Sequence, residues 1–169
     1  VKKIAIIMGS ASDLPVAEEA VKALSEFAVP YEVMVCSAHR TPEDLRTFAA
    51  GAREAGFGAL ICIAGLAAHL AGAAAALTTL PVVGVPAASG SLQGLDALLS
   101  TAQMPPGIPV ATVAIGAGRN AALLCVQMLA IEDASLAMQL ASARERMASG
   151  IRDKNREVAS ALNQKEVQG

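Results

Sequence analysis

Aromatic side chains are nearly missing from this chain of 169 residues, which has no Trp, one Tyr and three Phe. That excludes a platform for stacking nucleic-acid bases, and it disfavours an aromatic-walled flavin pocket. Charge is just as spare. With 13 Lys and Arg against 15 Asp and Glu the net charge is −2, and no basic stripe offers itself to nucleic acid or to an anionic membrane surface. The three cysteines, Cys36, Cys62 and Cys125, form no CxxC pair and no His/Cys metal spacing. They sit in apolar segments and read as buried free thiols of a reducing cytosol, with no metal site expected.

A further absence needs care. Between Ala55 and Leu95 there is no Asp, Glu, Lys or Arg, a stretch long enough to cross a bilayer. Gly65, His69, Gly72, Pro81, Gly84 and Pro86 punctuate it, however, and much of its apolarity is alanine. It reads as strand, helix and strand buried inside a sheet protein, not as a membrane span. The opening run Val1–Met8 is too short for a signal peptide and breaks at Gly9. The length suits one domain, 1–169, able to bury roughly two-thirds of the surface of its unfolded chain.

What is present is an alternation of strand-like and helix-like segments. Lys3–Met8 reads as a buried strand and Asp13–Ala28 as a helix with Ala17, Ala20, Val21 and Leu24 on one face. Tyr31–Cys36 is a second strand. Thr41 has the chemistry of an N-cap, followed by Pro42 at N1 and by Glu43 and Asp44 in the first turn. Ala59–Ala64 is the third strand, His69–Thr78 a helix of small residues, and Pro81–Val85 the fourth strand. Gly94–Ala102 is a short helix, Val110–Ile115 a fifth strand and Asn120–Ala130 another helix. Such alternation predicts an α/β fold of βαβ units, a parallel sheet with helices on both faces. A long helix over about 133–163 follows, on which Leu136, Met147 and Val158, and likewise Leu140, Ile151 and Leu162, recur every eleven residues. Its apolar seam is thin and its flanks are charged, so it calls for another surface, such as a second subunit, the alternative being a frayed tail lying on its own domain.

The chain has two histidines, and each follows a predicted strand. One lies in Cys36-Ser37-Ala38-His39-Arg40-Thr41-Pro42, the other in Gly65-Leu66-Ala67-Ala68-His69-Leu70. In an open α/β sheet these are the C-terminal strand ends, where ligands bind. A third such end carries Gly9-Ser10-Ala11-Ser12-Asp13. Its hydroxyls and the N–H groups of the following helix suit a phosphate, while Asp13 can cap that helix or bind a sugar hydroxyl. The turn has neither the P-loop nor the dinucleotide glycine pattern, which disfavours ATP and NAD. Arg40 supplies a planar fork for a phosphate, and Ser37 another hydroxyl. His39 is an imidazole, with a reference pKa of about 6.5 that suits both giving and taking a proton. For Arg40 the alternative is an ion pair with an acid, and for His39 and His69 a hydrogen-bonded structural role. No nucleophile elbow supports a Ser–His–Asp arrangement, and no acidic cluster marks a phospho-receiver.

Taken together these motifs resemble the PurE family of purine biosynthesis, in particular its N5-carboxyaminoimidazole ribonucleotide mutases. The resemblance runs over nearly the whole chain. It is carried by Met8–Asp13, Ser37–Pro42, Ala67–Leu70, Pro81–Pro86, Gln103-Met104-Pro105 and Asn120–Leu124. It implies a flavodoxin-like three-layer αβα fold with a long C-terminal helix, a cytoplasmic homo-octamer, and no metal or organic cofactor. It further implies that Ser10, Asp13 and Arg40, with Ser12 and Ser37 beside them, bind a small ribonucleotide, that His39 is the general acid/base, and that His69 lines the same pocket. Relatives that carboxylate aminoimidazole ribonucleotide directly resemble Ser-Ala-His-Lys at the first motif and Ser-Asn at the second, whereas Arg40 and Ala68-His69 side with the mutases. Leu66 and Ala71 stand where many mutases have Gly and Pro, and Pro106 and the loop Ala87–Ser91 also depart from the pattern. Direct carboxylation and a catalytically silent nucleotide-binding module stay open as alternatives.

Overall fold

The computed structural model describes residues 1–166. Its elements run β1 (Lys3–Met8), α1 (Leu14–Glu26), β2 (Tyr31–Val35), α2 (Pro42–Gly51), β3 (Phe57–Ala64), α3 (Leu70–Ala75), β4 (Val82–Pro86), α4 (Leu95–Ala102), β5 (Ala111–Thr112), α5 (Gly118–Ala130) and α6 (Ala134–Glu166). The five strands form one parallel sheet in the order β2-β1-β3-β4-β5. Flanked by helices, this is a flavodoxin-like α/β fold, and the strand order reverses direction between β1 and β3.

Burial explains the apolar runs. β1 and β3 are central, and Ile4, Ile6, Ile7, Leu60, Ile61 and Ile63 are fully buried, each side chain contributing about 1.5–3 kcal/mol relative to exposure. On one face, Ala5, Ile7, Leu60 and Cys62 pack with Leu45, Ala49 and Ala52 after and within α2 and with Leu70, Ala71 and Ala74 of α3. On α1, Ala17, Ala20, Ala23 and Leu24 form the buried stripe. α5 starts against α1 so closely that a Cβ on Gly118 would stand 2.0 Å from the Val16 carbonyl oxygen. The carboxyl ends of the strands lie side by side, with Met8 opposite both Val35 and Ile63, and Ala64 opposite Pro86. The loops after β1, β2, β3 and β4 therefore emerge together.

Several boundaries differ from the sequence expectation. α3 spans Leu70–Ala75 instead of His69–Thr78, because the chain tightens at Leu77 N→Ala74 O and the Thr78 hydroxyl then accepts from the Leu80 N–H, a side-chain bond that competes with helix. β5 keeps only Ala111–Thr112 of the expected Val110–Ile115: it is an edge strand, and past it only single bonds such as Val113 N→Gly84 O continue. β3 begins at Phe57, not Ala59, where the buried Phe57 ring meets Phe48 edge-on. α1 ends at Glu26 rather than Ala28, which has φ +53.

By its contacts the chain separates into two compact units, Val1–Leu129 and the part from Ala130 on. The second is built on α6, capped where Asp133 Oδ1 accepts from the Leu136 N–H. Along α6, Met147, Ile151, Val158 and Leu162 are exposed. Among the described residues no helix is long and apolar enough to cross a membrane.

Candidate active site

β1 ends at Met8, and Gly9 N bonds to Ile63 O of β3, so the chain leaves the sheet beside the switch point. Ser10 caps the short 3-10 turn Ala11–Asp13 in a reciprocal capping box. Its hydroxyl accepts from the Ser12 N–H, while Asp13 Oδ2 accepts from the Ser10 N–H at 3.0 Å. Asp13 thus serves the 3-10 turn and makes no side-chain cap to α1, although it stands at that helix's N-cap position. It is only 7% exposed. Burial raises its pKa above the usual carboxylate value, opposed by the Ser10 and Gly9 backbone N–H groups.

The β2–α2 turn is held by Thr41. The sequence suggests an N-cap, but its side chain makes no cap bond to α2. Thr41 Oγ1 instead accepts from the Ser37 N–H at 3.0 Å and lies 3.2 Å from Ser37 O. The Ser37 hydroxyl in turn accepts from Arg40 N and Nε, and Arg40 Nη2 donates to Gly9 O at 3.0 Å. Among the described residues Arg40 has no acidic partner; its cation is tied by neutral acceptors and set over the β1 turn, where an anion can take its remaining N–H groups.

The two histidines meet. His39 Nε2 and His69 Nδ1 are 2.8 Å apart, with the rings edge to face at a centroid distance of 4.9 Å. One nitrogen donates and the other accepts, so both rings cannot be imidazolium while the bond stands, and His39 is left with Nδ1 for other partners. His69 is placed from behind: the buried Ala68 donates its N–H to Ser100 Oγ at 3.0 Å, and that hydroxyl faces the Asp96 and Ala97 carbonyls one turn back on α4.

These groups line one open cavity of about 530 Å³. Ser10, Ser12, Asp13, Ser37, His39, Arg40 and His69 all face it, so every residue singled out from the sequence arrives in one place. The loop after β3 adds the apolar stretch Ala64, Gly65, Leu66 and Ala67 ahead of His69, and the loop after β4 adds Ser89. Leu66 adopts φ +54, a left-handed conformation that costs a residue with a Cβ about 1–2 kcal/mol. Thr41, Ser100, Leu66 and Ser89 were not singled out as ligand-site residues. Thr41 carries a local signal, four positions after Ser37, whereas Ser100 lies 32 residues from Ala68 and has none. Among the described residues no group of three His, Cys, Asp or Glu is assembled to hold a metal ion. The cysteines are buried; burial pushes the Cys62 thiol strongly up and Cys125 up to about 12, so neither is a nucleophile.

The fold and this cavity define an α/β protein with a small-molecule site at the switch point of a parallel sheet, lined by polar, anion-accepting groups and by an apolar stretch. The chain belongs to the AIR carboxylase family, whose sequence pattern matches residues 3–150. It is 55% identical to N5-carboxyaminoimidazole ribonucleotide mutase of Pyrococcus abyssi over 145 residues, 86% of this chain and 83% of that one. It is 49% identical to the mutase of the same name from Mycobacterium tuberculosis over 156 residues, covering 92% and 90% of the two chains. Among solved structures, Treponema denticola PurE superposes with a TM-score of 0.81 at 31% identity, over 89% of this chain and 94% of that one.

Proposed function

We propose that this chain is an N5-carboxyaminoimidazole ribonucleotide mutase of purine biosynthesis, an isomerase that moves a carboxylate from the exocyclic nitrogen to ring carbon 4. The observation that carries the reading is the His39–His69 pair, hydrogen-bonded at 2.8 Å on a cavity that also presents Arg40 and the Ser10 turn. It gives a proton-transfer group beside an anion site. Kinship with named mutases over most of their length supports the same reading.

Arg40, Ser10 and Ser12 bind the phosphate, with Ser37 holding Arg40 in place and Asp13 taking a ribose hydroxyl. These contacts anchor the substrate through a part that does not react. His39 as imidazolium donates its Nε2 proton to His69 Nδ1 and presents its Nδ1 proton to the carbamate nitrogen. That proton is delivered as the N–C bond breaks, releasing neutral CO2 and leaving the amine. Ring carbon 4 then attacks the CO2 carbon, and the carbon-4 proton leaves to the same Nδ1, restoring the aromatic ring and the imidazolium. Protons balance over the cycle, and His69 keeps one tautomer of His39 in use. Exposed Met147, Ile151, Val158 and Leu162 on α6, with Tyr31, Val33 and Val35 on the edge strand β2, support assembly as a homo-octamer. The buried free thiols suit a cytoplasmic setting.

The test is turnover of the full chain with N5-carboxyaminoimidazole ribonucleotide, compared with aminoimidazole ribonucleotide plus bicarbonate at physiological CO2. Rapid conversion of the first alone is expected. Efficient use of the second overturns the assignment in favour of direct carboxylation, and turnover of neither in favour of a binding module.

A further inference from the structure

Ser89 reaches the cavity from the loop after β4, the contributing strand that lies farthest from Arg40 in the sheet order. Its hydroxyl oxygen is buried and has no hydrogen-bond partner among the described residues. Thr112 Oγ1 shares that condition, but it lies on β5 and does not line the cavity. Leaving a buried hydroxyl unpaired costs stability, so the group calls for a reason. The Ser89 oxygen lies 2.2 Å from where a Cβ on Gly65 would stand, so it occupies a notch that exists because position 65 has no side chain. The notch gives it room and no partner. The open direction is the cavity that Ser89 lines, one turn of χ1 to another staggered well away.

The strand order says which part of a ribonucleotide arrives there. Arg40, bonded to Gly9 O, sets the positive charge on the β2–β1 side. A phosphate held by Arg40 directs the heterocycle toward β3 and β4, and two strand spacings, roughly 10 Å, separate β1 from β4. Of the side chains lining that end, Ala64, Leu66, Ala67 and Leu70 are apolar, and His69 and Ser89 are polar. His69 Nδ1 is taken by His39. Ser89 brings a hydroxyl with nothing else to bond, and a hydroxyl both donates and accepts. An aminoimidazole ring has both kinds of partner on its edge, the amine N–H donors and an unprotonated ring nitrogen.

We propose that Ser89 is a specificity-determining residue whose hydroxyl turns out of the Gly65 notch to hydrogen-bond the nitrogen-bearing edge of the aminoimidazole ring. This rests on the mutase reading. A ligand without such an edge leaves the hydroxyl unpaired, so the cavity separates the ribonucleotide from other sugar phosphates that Arg40 and the Ser10 turn hold equally well. The signature is a pair of opposite effects. Without ligand the hydroxyl weakens the fold, and with the ring bound it strengthens the complex.

The experiment compares wild type with Ser89→Ala by urea unfolding and by calorimetric titration in carbon-dioxide-free buffer, once with aminoimidazole ribonucleotide and once with ribose 5-phosphate. The urea midpoint of the variant is expected to equal or exceed that of wild type. Its affinity for aminoimidazole ribonucleotide is expected to fall about 3- to 10-fold, the weight of one neutral hydrogen bond, while its affinity for ribose 5-phosphate matches wild type. Unchanged affinity for the ribonucleotide, or an equal loss for both ligands, overturns the ring contact and leaves the mutase standing. A lowered urea midpoint overturns it as well, because the hydroxyl then serves the fold. A wild-type chain that converts no N5-carboxyaminoimidazole ribonucleotide overturns the mutase reading, and the contact with it.

Discussion

His39 and His69 are thirty positions apart in the chain and 2.8 Å apart in space, and the proposed proton transfer turns on that contact. His39→Asn is expected to leave the circular dichroism spectrum and thermal midpoint close to wild type, because the ring is exposed, while turnover falls about 10²–10⁴-fold; normal turnover would remove His39 from the reaction. Arg40 acts differently. In the proposed role its guanidinium bonds the substrate phosphate, each charge-assisted bond being worth about 1.5–3 kcal/mol, so Arg40→Ala is expected to weaken ribonucleotide binding roughly 10- to 150-fold. Calorimetric titration with unchanged affinity would refute the phosphate role. Asp13 carries a cost of its own. Its pKa is raised in the folded state mainly by burial, so as pH rises from its ordinary value of 3.8 toward the folded value the unfolded chain loses the proton first. Folding stability contributed by Asp13 therefore falls through that window and stays lower above it. In Asp13→Asn this decline is expected to vanish: urea midpoints at neutral pH should match or exceed wild type, relative to those at acid pH, while ribonucleotide affinity drops. A variant that loses more stability at neutral than at acid pH would contradict this sign.

Single elements place these groups by bonds that run between them. Thr41, at the head of α2, braces the Ser37 turn rather than capping its helix, because its hydroxyl lies within reach of Ser37 N and O. Ser100 on α4 does the same for the loop that carries His69. Ser100→Ala leaves the buried Ala68 N–H without its acceptor, at about 1–3 kcal/mol. The variant is expected to lose that much in denaturant unfolding and also to turn over more slowly, since His69 follows Ala68 directly. Lost stability with wild-type turnover would mean that α4 supports the fold alone. The strand ends were legible in the residues because a parallel sheet buries β1 and β3 on both faces and leaves only the loops free to be polar. The short extent of α3 and β5 was not legible, because Thr78 captures a backbone N–H and the edge strand lacks a second neighbour, and neither effect shows in periodicity.

The whole molecule presents more apolar surface than one chain covers. Val33 and Val35 on the edge strand and Met147, Ile151, Val158 and Leu162 on α6 are each more than two-fifths exposed, and such seams belong against another surface. Deleting the chain after Ala148 removes Ile151, Val158 and Leu162 and is expected to lower the sedimentation coefficient by dissociating the proposed homo-octamer, well beyond the loss of mass. An unchanged assembly would confine α6 to a role within its own chain.

The amino-acid sequence by itself determined the fold class, the strand ends that carry the cavity and seven of the residues that line it, because burial periodicity and the chemistry of Ser, His, Arg and Asp at turns are local properties. Tertiary structure alone decided that His39 bonds His69, that Arg40 reaches Gly9, that Ser100 supports Ala68 and that Ser89 lies against Gly65. Those contacts join loops from different strands, and their distances depend on sheet order and register, which no single segment encodes.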